Sequence, residues 1–337
     1  MGINAPRSKK LLIALLVAVL IAASGLFAFS QRECENTFMA MDTYNNIKVK
    51  GMSAEEAADK AQEITENLDK NVLSRHSESS LIYALNRDGK AEIPSGYGQY
   101  FNTILGACFE SGGAFDFTLG AVSDLWGTGT DNERVPSADE IKTALEKSGA
   151  DKVIYDGVTL TVPEGLSVDM GAAGKGMALD EIRKAYSSML VKRAVVSLGG
   201  SILLYGKGSF TVGIQTPGGS GYMAVLTLPE GCVSTSGSYE RYFEKDGVRY
   251  HHIIDPATGY PADSGLVSAT VISDSGTLSD ILSTACFVLG LEKGKELCER
   301  FGCEAVFIDN ENVVHTTGGI ADKLEITDEN YRLEEIG

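Results

Sequence analysis

The chain has 337 residues, 43% hydrophobic and 22% charged, which is ordinary globular composition and enough length for a large core in one big domain or two. A formal net charge of −17 argues against nucleic-acid binding, which rests on lysine and arginine at phosphates, and otherwise marks solubility. The six cysteines, Cys34, Cys108, Cys232, Cys286, Cys298 and Cys303, lack zinc-site spacing and are too dispersed for a small disulfide scaffold.

Arg7, Lys9 and Lys10 precede residues 11–29, a run without charge. A basic flank and an apolar stretch predict a secretion signal over residues 1–30, cut near Ala28-Phe29-Ser30, or a single retained membrane anchor. In either case the basic flank stays inside and residues 31–337 are expected to be exported as one domain.

Residues 37–49 read as a strand with Met41-Asp42-Thr43 near its start. Ser53-Ala54-Glu55-Glu56 is a capping box opening a helix to residue 68. A polar loop, Ser74-Arg75-His76-Ser77, leads to helices over residues 81–85 and 100–111, the second closed by Gly112-Gly113. Phe115-Asp116-Phe117-Thr118-Leu119-Gly120 precedes the only tryptophan, Trp126. A second capping box, Ser137 to Glu140, opens a helix to residue 147. A hairpin crosses Asp156-Gly157 between residues 153–155 and 159–162.

An apolar strand ending over residues 165–168 then runs into Asp169-Met170-Gly171-Ala172-Ala173-Gly174-Lys175-Gly176 and a helix over residues 177–190. Strand, glycine turn and helix present backbone N–H groups to an anion at a helix N-terminus. Gly171, Gly174 and Gly176 permit close approach and positive φ, and Lys175 adds a movable charge. The spacing fits neither the P-loop nor the dinucleotide fingerprint, so a plain strand-to-helix turn and a phosphate site both remain open.

Strands follow over residues 194–197, 202–205, 210–214 and 224–228, then a hairpin at Lys245-Asp246-Gly247 that returns to His251-His252. Further strands are expected over residues 266–273, 305–308 and 313–315, with helices over 278–289 and 293–301. Cys286 falls in the apolar pattern of the first of these helices and is expected in the core; Cys298 and Cys303 are near enough in sequence to pair. Without a strict βαβ rhythm, mixed sheets with packed helices make an α+β fold the expectation.

Two places can carry chemistry. Asp280, Ser283 and Thr284, at i, i+3 and i+4, share a helix face. A carboxylate with two hydroxyls suits a hard cation such as Mg²⁺, which takes a few protein oxygens plus phosphate oxygens. A first-turn Asp among small packing residues is the alternative. His251 and His252 point to opposite faces of a strand, so one can serve a site while the other is solvated.

The motifs Met41-Asp-Thr, Phe115-Asp-Phe-Thr-Leu-Gly, Val168-Asp-Met-Gly-Ala-Ala-Gly-Lys-Gly, Thr235-Ser-Gly-x-Tyr-Glu-Arg-Tyr, His252-Ile-Ile-Asp-Pro-x-Thr-Gly-x-Pro and Asp280-x-x-Ser-Thr-Ala-x-Phe-Val-Leu-Gly occur in this order. Together they closely resemble the ApbE family of FAD:protein FMN transferases, from about residue 37 to the end. The resemblance implies a T-fold-like α+β domain. It also implies an exported Mg²⁺-dependent enzyme that joins FMN from FAD to a Thr or Ser hydroxyl of an exported redox protein and releases AMP. It places Mg²⁺ on Asp280, Ser283, Thr284 and the backbone oxygen of Ala172. It places FAD against Met41, Phe115, Asp116, Phe117, Asp169, Lys175, His252 and Ile253, with His252 as the base. The family pattern has Met-Gly-Thr at Met41-Asp42-Thr43, and an aromatic where His76 stands; His76 is expected to take over that flavin-side or adenine-side contact. The resemblance leaves two other outcomes, hydrolysis of FAD to FMN and AMP, and flavin binding without catalysis. A histidine base predicts a rate that falls as pH drops through the ordinary histidine range.

Overall fold

The computed structural model describes residues 31–335, with Leu15 and Leu16 before them. The leader expected over residues 1–30 otherwise lies outside the described residues, and none of the described helices is long and apolar enough to cross a membrane.

A nine-stranded open sheet organises the chain. Its strands, in spatial order, are β1 (Glu33–Ala40), β2 (Thr43–Gly51), β6 (Val191–Leu198), β7 (Ser201–Gly206), β10 (Gly231–Gly237), β13 (Leu266–Ser273), β14 (Glu304–Asp309), β15 (Val313–Thr316) and β17 (Arg332–Glu335). Neighbours are antiparallel except β15 and β17. Side chains alternate between two cores, as the pleat requires. On β10, Cys232 faces one core and Val233 the other; on β14, Phe307 and Val306 divide the same way.

The larger core is roofed by helices α1 (Ala54–Leu68), α6 (Gly174–Ser187), α7 (Gly276–Leu289) and α8 (Leu291–Phe301). The opposite face is closed by a three-stranded sheet of β8 (Phe210–Gln215), β9 (Tyr222–Leu228) and β16 (Leu324–Ile326). Helices α2 (Leu81–Asp88) and α3 (Gly98–Glu110) extend the larger core, beside a small sheet of β3 (Lys90–Glu92), β4 (Ile154–Tyr155) and β5 (Thr159–Thr161). A satellite core gathers Trp126 at the end of α4 (Gly120–Trp126), Ile141 of α5 (Ala138–Leu145), and Phe243 and Tyr250 of the hairpin β11 (Tyr242–Lys245)–β12 (Val248–His251). Antiparallel sheets with helices segregated to one face make this α+β, as expected.

Several local expectations change. Residues 37–49 are not one strand: Ala40 pairs with Thr43 across a two-residue turn whose residues, Met41 (φ 53°) and Asp42 (φ 55°), are both left-handed. That is the twist a tight hairpin needs, and it usually selects Asn-Gly. Here Asn45 Nδ2 donates to the Ala40 and Thr43 carbonyls, and the Met41 N–H donates to Asp69 Oδ2 at 2.8 Å. Tertiary bonds thus hold a turn that its own residues do not announce, and Asp42 occupies the left-handed position that Asp tolerates better than most residues.

The Ser53 box does not close, since its side chain makes no cap hydrogen bond, whereas the Ser137–Glu140 box closes in both directions. Residues 165–168 form no strand: Ser167 makes an isolated parallel bridge to Leu119, Val168 exchanges two hydrogen bonds with the Asn86 side chain, and Leu166 and Val168 are buried in the larger core. The helix expected over 177–190 is α6, which begins three residues earlier at Gly174. Cys286 is fully buried as expected, but its Sγ neighbour, at 3.5 Å, is that of Cys298. Cys303 is no disulfide partner, and all six thiols are free.

Candidate functional site

The site forms where α6 and α7 cross by their N-terminal turns. A Cβ on Gly176 would lie 2.2 Å from the Gly276 carbonyl oxygen, and one on Gly276 would lie 2.6 Å from that of Gly176. Only two glycines allow backbones to approach this closely. None of Gly171, Gly174 and Gly176 adopts positive φ, so the motif's glycines serve close approach and not a left-handed turn.

The crossing brings the two sequence motifs together. Asp280, 5% exposed, accepts the Gly176 N–H on Oδ2 at 3.0 Å and the Ser201 hydroxyl on Oδ1 at 2.9 Å, with Lys175 Nζ 3.6 Å from Oδ1. The first turn of α6 is therefore not a bare anion cradle: the Gly176 N–H serves Asp280, and the Gly174 N–H serves the Met170 carbonyl at 2.8 Å. The lysine also donates to the Gly171 carbonyl at 3.2 Å.

Across from α7, β10 offers Ser236, whose Oγ lies 2.9 Å from Ser283 Oγ and 3.1 Å from Thr284 Oγ1. Ser283 is buried and also donates to the Asp280 backbone carbonyl at 2.8 Å, while Thr284 is half-buried. Among the described residues no group of three or more His, Cys, Asp or Glu gathers as a metal cage. The donor set is one carboxylate, clustered hydroxyls and the half-buried Ala172 of the α6 turn. That chemistry fits Mg²⁺, a hard cation that keeps several ligands from water or phosphate.

Asp169 stands at the start of the turn. Its N–H donates to the Phe117 carbonyl at 2.7 Å, and its Oδ1 accepts the Gly171 N–H at 2.9 Å. The rings of Phe115 and Phe117 are 2% exposed and belong to the larger core, so this segment can meet a ligand through its backbone and Asp116. Asp116 Oδ1 accepts both the N–H and the hydroxyl of Thr118. Burial nonetheless pushes its carboxyl above the usual range, against those hydrogen bonds. Met41 is half-buried at its hairpin turn and His76 is exposed, its N–H donating to Ser74 Oγ.

The two histidines divide as their alternation predicts, with one correction. His251 is not solvated: it is buried, its Nε2 lies 3.0 Å from the Ala262 carbonyl, its Nδ1 accepts the Ile253 N–H, and its ring meets Phe287 edge-on. His252 is half-buried. Part of its surface is open, but the ring itself lies in a desolvated setting that holds its pKa down to about 3, aided by the charges of Arg241 and Lys175. Nδ1 of His252 lies 3.2 Å from the Arg241 carbonyl. Ile253 is buried.

Three residues of the site carry no assignment from sequence. Ser201 follows the Gly199-Gly200 turn of a buried strand, a placement visible in the chain though its partner is not. Ser236 sits inside a motif already quoted. Asp180 accepts the N–H groups of Gly276 and Thr277 and the hydroxyls of Ser275 and Thr277, all within 3.0 Å. With the N-cap Ser275, whose Oγ accepts the Leu278 N–H, it satisfies the first donors of α7, the helix that carries Asp280.

The chain is similar to known proteins over most of its length. The ApbE family model matches residues 41–307. The FAD:protein FMN transferase of Treponema pallidum is 37% identical over 289 residues, covering 78% of this chain and 80% of that protein. That of Escherichia coli K12 is 30% identical over 291 residues, covering 80% and 82%. Among solved structures, the ApbE protein of Thermotoga maritima superposes with a TM-score of 0.76 at 31% identity, covering 88% of this chain and 97% of that one. The apo flavinyl transferase ApbE of Pseudomonas stutzeri gives 0.75 at 29% identity, covering 87% and 96%. With the family model matching residues 41–307 and its fold shared over 87–88% of its length with these structures, the chain belongs to the ApbE family of flavin transferases.

Proposed function

We propose that the protein transfers FMN from FAD to a threonine or serine hydroxyl of an exported acceptor protein, in a reaction that depends on Mg²⁺ and releases AMP. The observation that carries this reading is the convergence of Lys175, Asp280 and the Ser236–Ser283–Thr284 hydroxyls at the α6–α7 crossing. Asp280, Thr284, Ser283 and the Ala172 carbonyl would hold Mg²⁺, which when bound neutralises charge on phosphoryl oxygens. Lys175, on the rim of the site, draws the FAD diphosphate toward the crossing and offsets developing charge on the transferred phosphoryl group. Asp169, Asp116 and Met41 flank that position and orient the dinucleotide; His76 and the His252–Ile253 segment contact its ends.

In the step itself the acceptor oxygen attacks the FMN phosphorus, the pyrophosphate bond to AMP breaks, and the hydroxyl proton passes to Nε2 of His252. Its depressed pKa keeps the imidazole neutral across the physiological range, and the negative charge of a bound diphosphate would raise its proton affinity toward what a general base needs. We assign residues 1–30 to export or anchoring, which would place the domain with its acceptor outside the cytoplasmic membrane.

Incubation of the full chain with FAD, Mg²⁺ and an exported flavoprotein acceptor tests the reading. Acceptor carrying covalent FMN, with one AMP per flavin and no product after EDTA, is the expected result. Free FMN plus AMP would replace transfer by hydrolysis, and unchanged FAD would leave a binding protein. Full activity in EDTA-treated protein would remove Mg²⁺ from the mechanism. A fusion after residue 337 to a reporter active only in the cytoplasm should be silent; a signal from it would overturn export.

A further inference from the structure

Arg75 lies in the loop between α1 and α2, next to His76, and its side chain is 17% exposed. Its guanidinium spans two segments. Nη1 is 2.6 Å from Asp124 Oδ1 and donates to the Gly120 carbonyl at 3.2 Å, both on α4; Nε is 3.4 Å from Asp169 Oδ2. From Asp169 the polar contacts continue without a break. Its Oδ1 accepts the Gly171 N–H at 2.9 Å, the Gly171 carbonyl accepts Lys175 Nζ at 3.2 Å, and Lys175 Nζ lies 3.6 Å from Asp280.

This chain of contacts has a direction. Asp169 is fixed by Arg75 on one oxygen and by the glycine turn on the other. The turn in turn receives the lysine that faces the metal-site carboxylate. A planar fork suits the task, because it can hold two carboxylates and a carbonyl at set angles where an ammonium acts as a point charge. Its charge also offsets Asp124 and Asp169, two acids at the flank of a site read as taking an anionic diphosphate.

We propose that Arg75 is a positioning residue: through Asp169 it sets the Gly171 turn and Lys175, and so tunes affinity for the dinucleotide diphosphate without touching the reacting atoms. The proposal rests on the transferase reading of the site.

The test is FAD binding by the full chain, followed by flavin fluorescence with Mg²⁺ and no acceptor, alongside steady-state transfer. Arg75→Ala should weaken FAD affinity about tenfold, as loss of a hydrogen-bonded charge does. Its kcat at saturating FAD should fall less than its affinity, because Lys175 keeps its place beside Asp280 without Arg75. Arg75→Lys should recover part of the affinity, since an ammonium still faces Asp169 as a point charge but cannot hold Asp124 and the Gly120 carbonyl at the same time. Wild-type affinity in Arg75→Ala would overturn the proposal. So would equal losses in affinity and kcat that lysine does not rescue, which would mark a general structural role. If Arg75→Ala does not fold, Arg75→Gln takes its place under the same criteria. A wild-type chain that binds FAD yet flavinylates nothing would sink the transferase reading and leave this comparison standing; unchanged affinity in an active Arg75→Ala enzyme would sink Arg75 alone.

Discussion

Helices α6 and α7 meet as near mirror statements of one pattern. Gly176 precedes Asp180 by four positions, and Gly276 precedes Asp280 by four. The two glycines touch, and each carboxylate reaches the N-terminus of the other helix. Asp180 takes the N–H groups of Gly276 and Thr277, and Asp280 takes that of Gly176. Both are nearly buried, at 9% and 5% exposure. What separates them is the count of donors. Asp180 accepts four hydrogen bonds, three on Oδ2 and one on Oδ1, as many as a carboxylate has lone-pair sites. Asp280 accepts two and has Lys175 beside it. A saturated carboxylate can only hold the fold. A half-saturated one, held rigid by the same crossing, has lone pairs left for a cation.

The largest expected effect breaks the comparison on the chemical side. Asp280→Ala should lower transfer by about 10³-fold or more, the scale of losing a group that holds the charge-stabilising apparatus, while the thermal midpoint moves little by comparison. An active Asp280→Ala enzyme would place the metal elsewhere. Asp180→Ala should show the reverse. Four orphaned donors at the start of α7 should cost about 3 kcal/mol and lower Tm by several degrees. Activity per folded molecule should fall less than in Asp280→Ala. Equal behaviour of the two variants in melting and turnover assays would erase the distinction drawn between them.

His252→Ala should lose about 10²–10⁴-fold in turnover, typical of a removed general base, and still bind FAD. Loss of FAD binding instead would make His252 a ligand contact. His251→Ala should leave turnover comparatively intact, since that ring bonds to Ala262 and packs on Phe287 away from the site.

The smallest expected effect is on pH. The ordinary histidine range no longer applies, because the His252 pKa lies at about 3. The imidazole stays neutral well below pH 6, so kcat/KM for FAD should hold level from pH 7 to about 5, as far as this base sets it. A profile falling with a midpoint near 6.5 would contradict the desolvated setting. Stability runs the other way. The folded state resists protonation of His251 and His252 while the unfolded chain accepts it below about pH 6.5. Their contribution is therefore present above that value and is lost as pH falls.

Sequence by itself determined the local frame and the chemistry on offer. Apolar alternation laid out β6, β7, β13 and β14, the Ser137–Glu140 box and the Asp156-Gly157 hairpin formed as read, and Asp280, Ser283 and Thr284 share a helix face, because each of these depends on neighbours within a turn or two. Tertiary structure alone decided the rest. The Met41-Asp42 turn is held from Asp69, 28 positions away, the Ser53 cap was left unused, and Gly176 of the Lys175 motif proved to be for a helix crossing. Asp280 meets Gly176 across 104 positions and Asp180 meets Gly276 across 96. Local pattern names the residues able to accept a hydrogen bond or a cation. Which of two identical carboxylates is filled by backbone donors, and which is left open, depends on how distant helices pack, and no single stretch of chain carries that information.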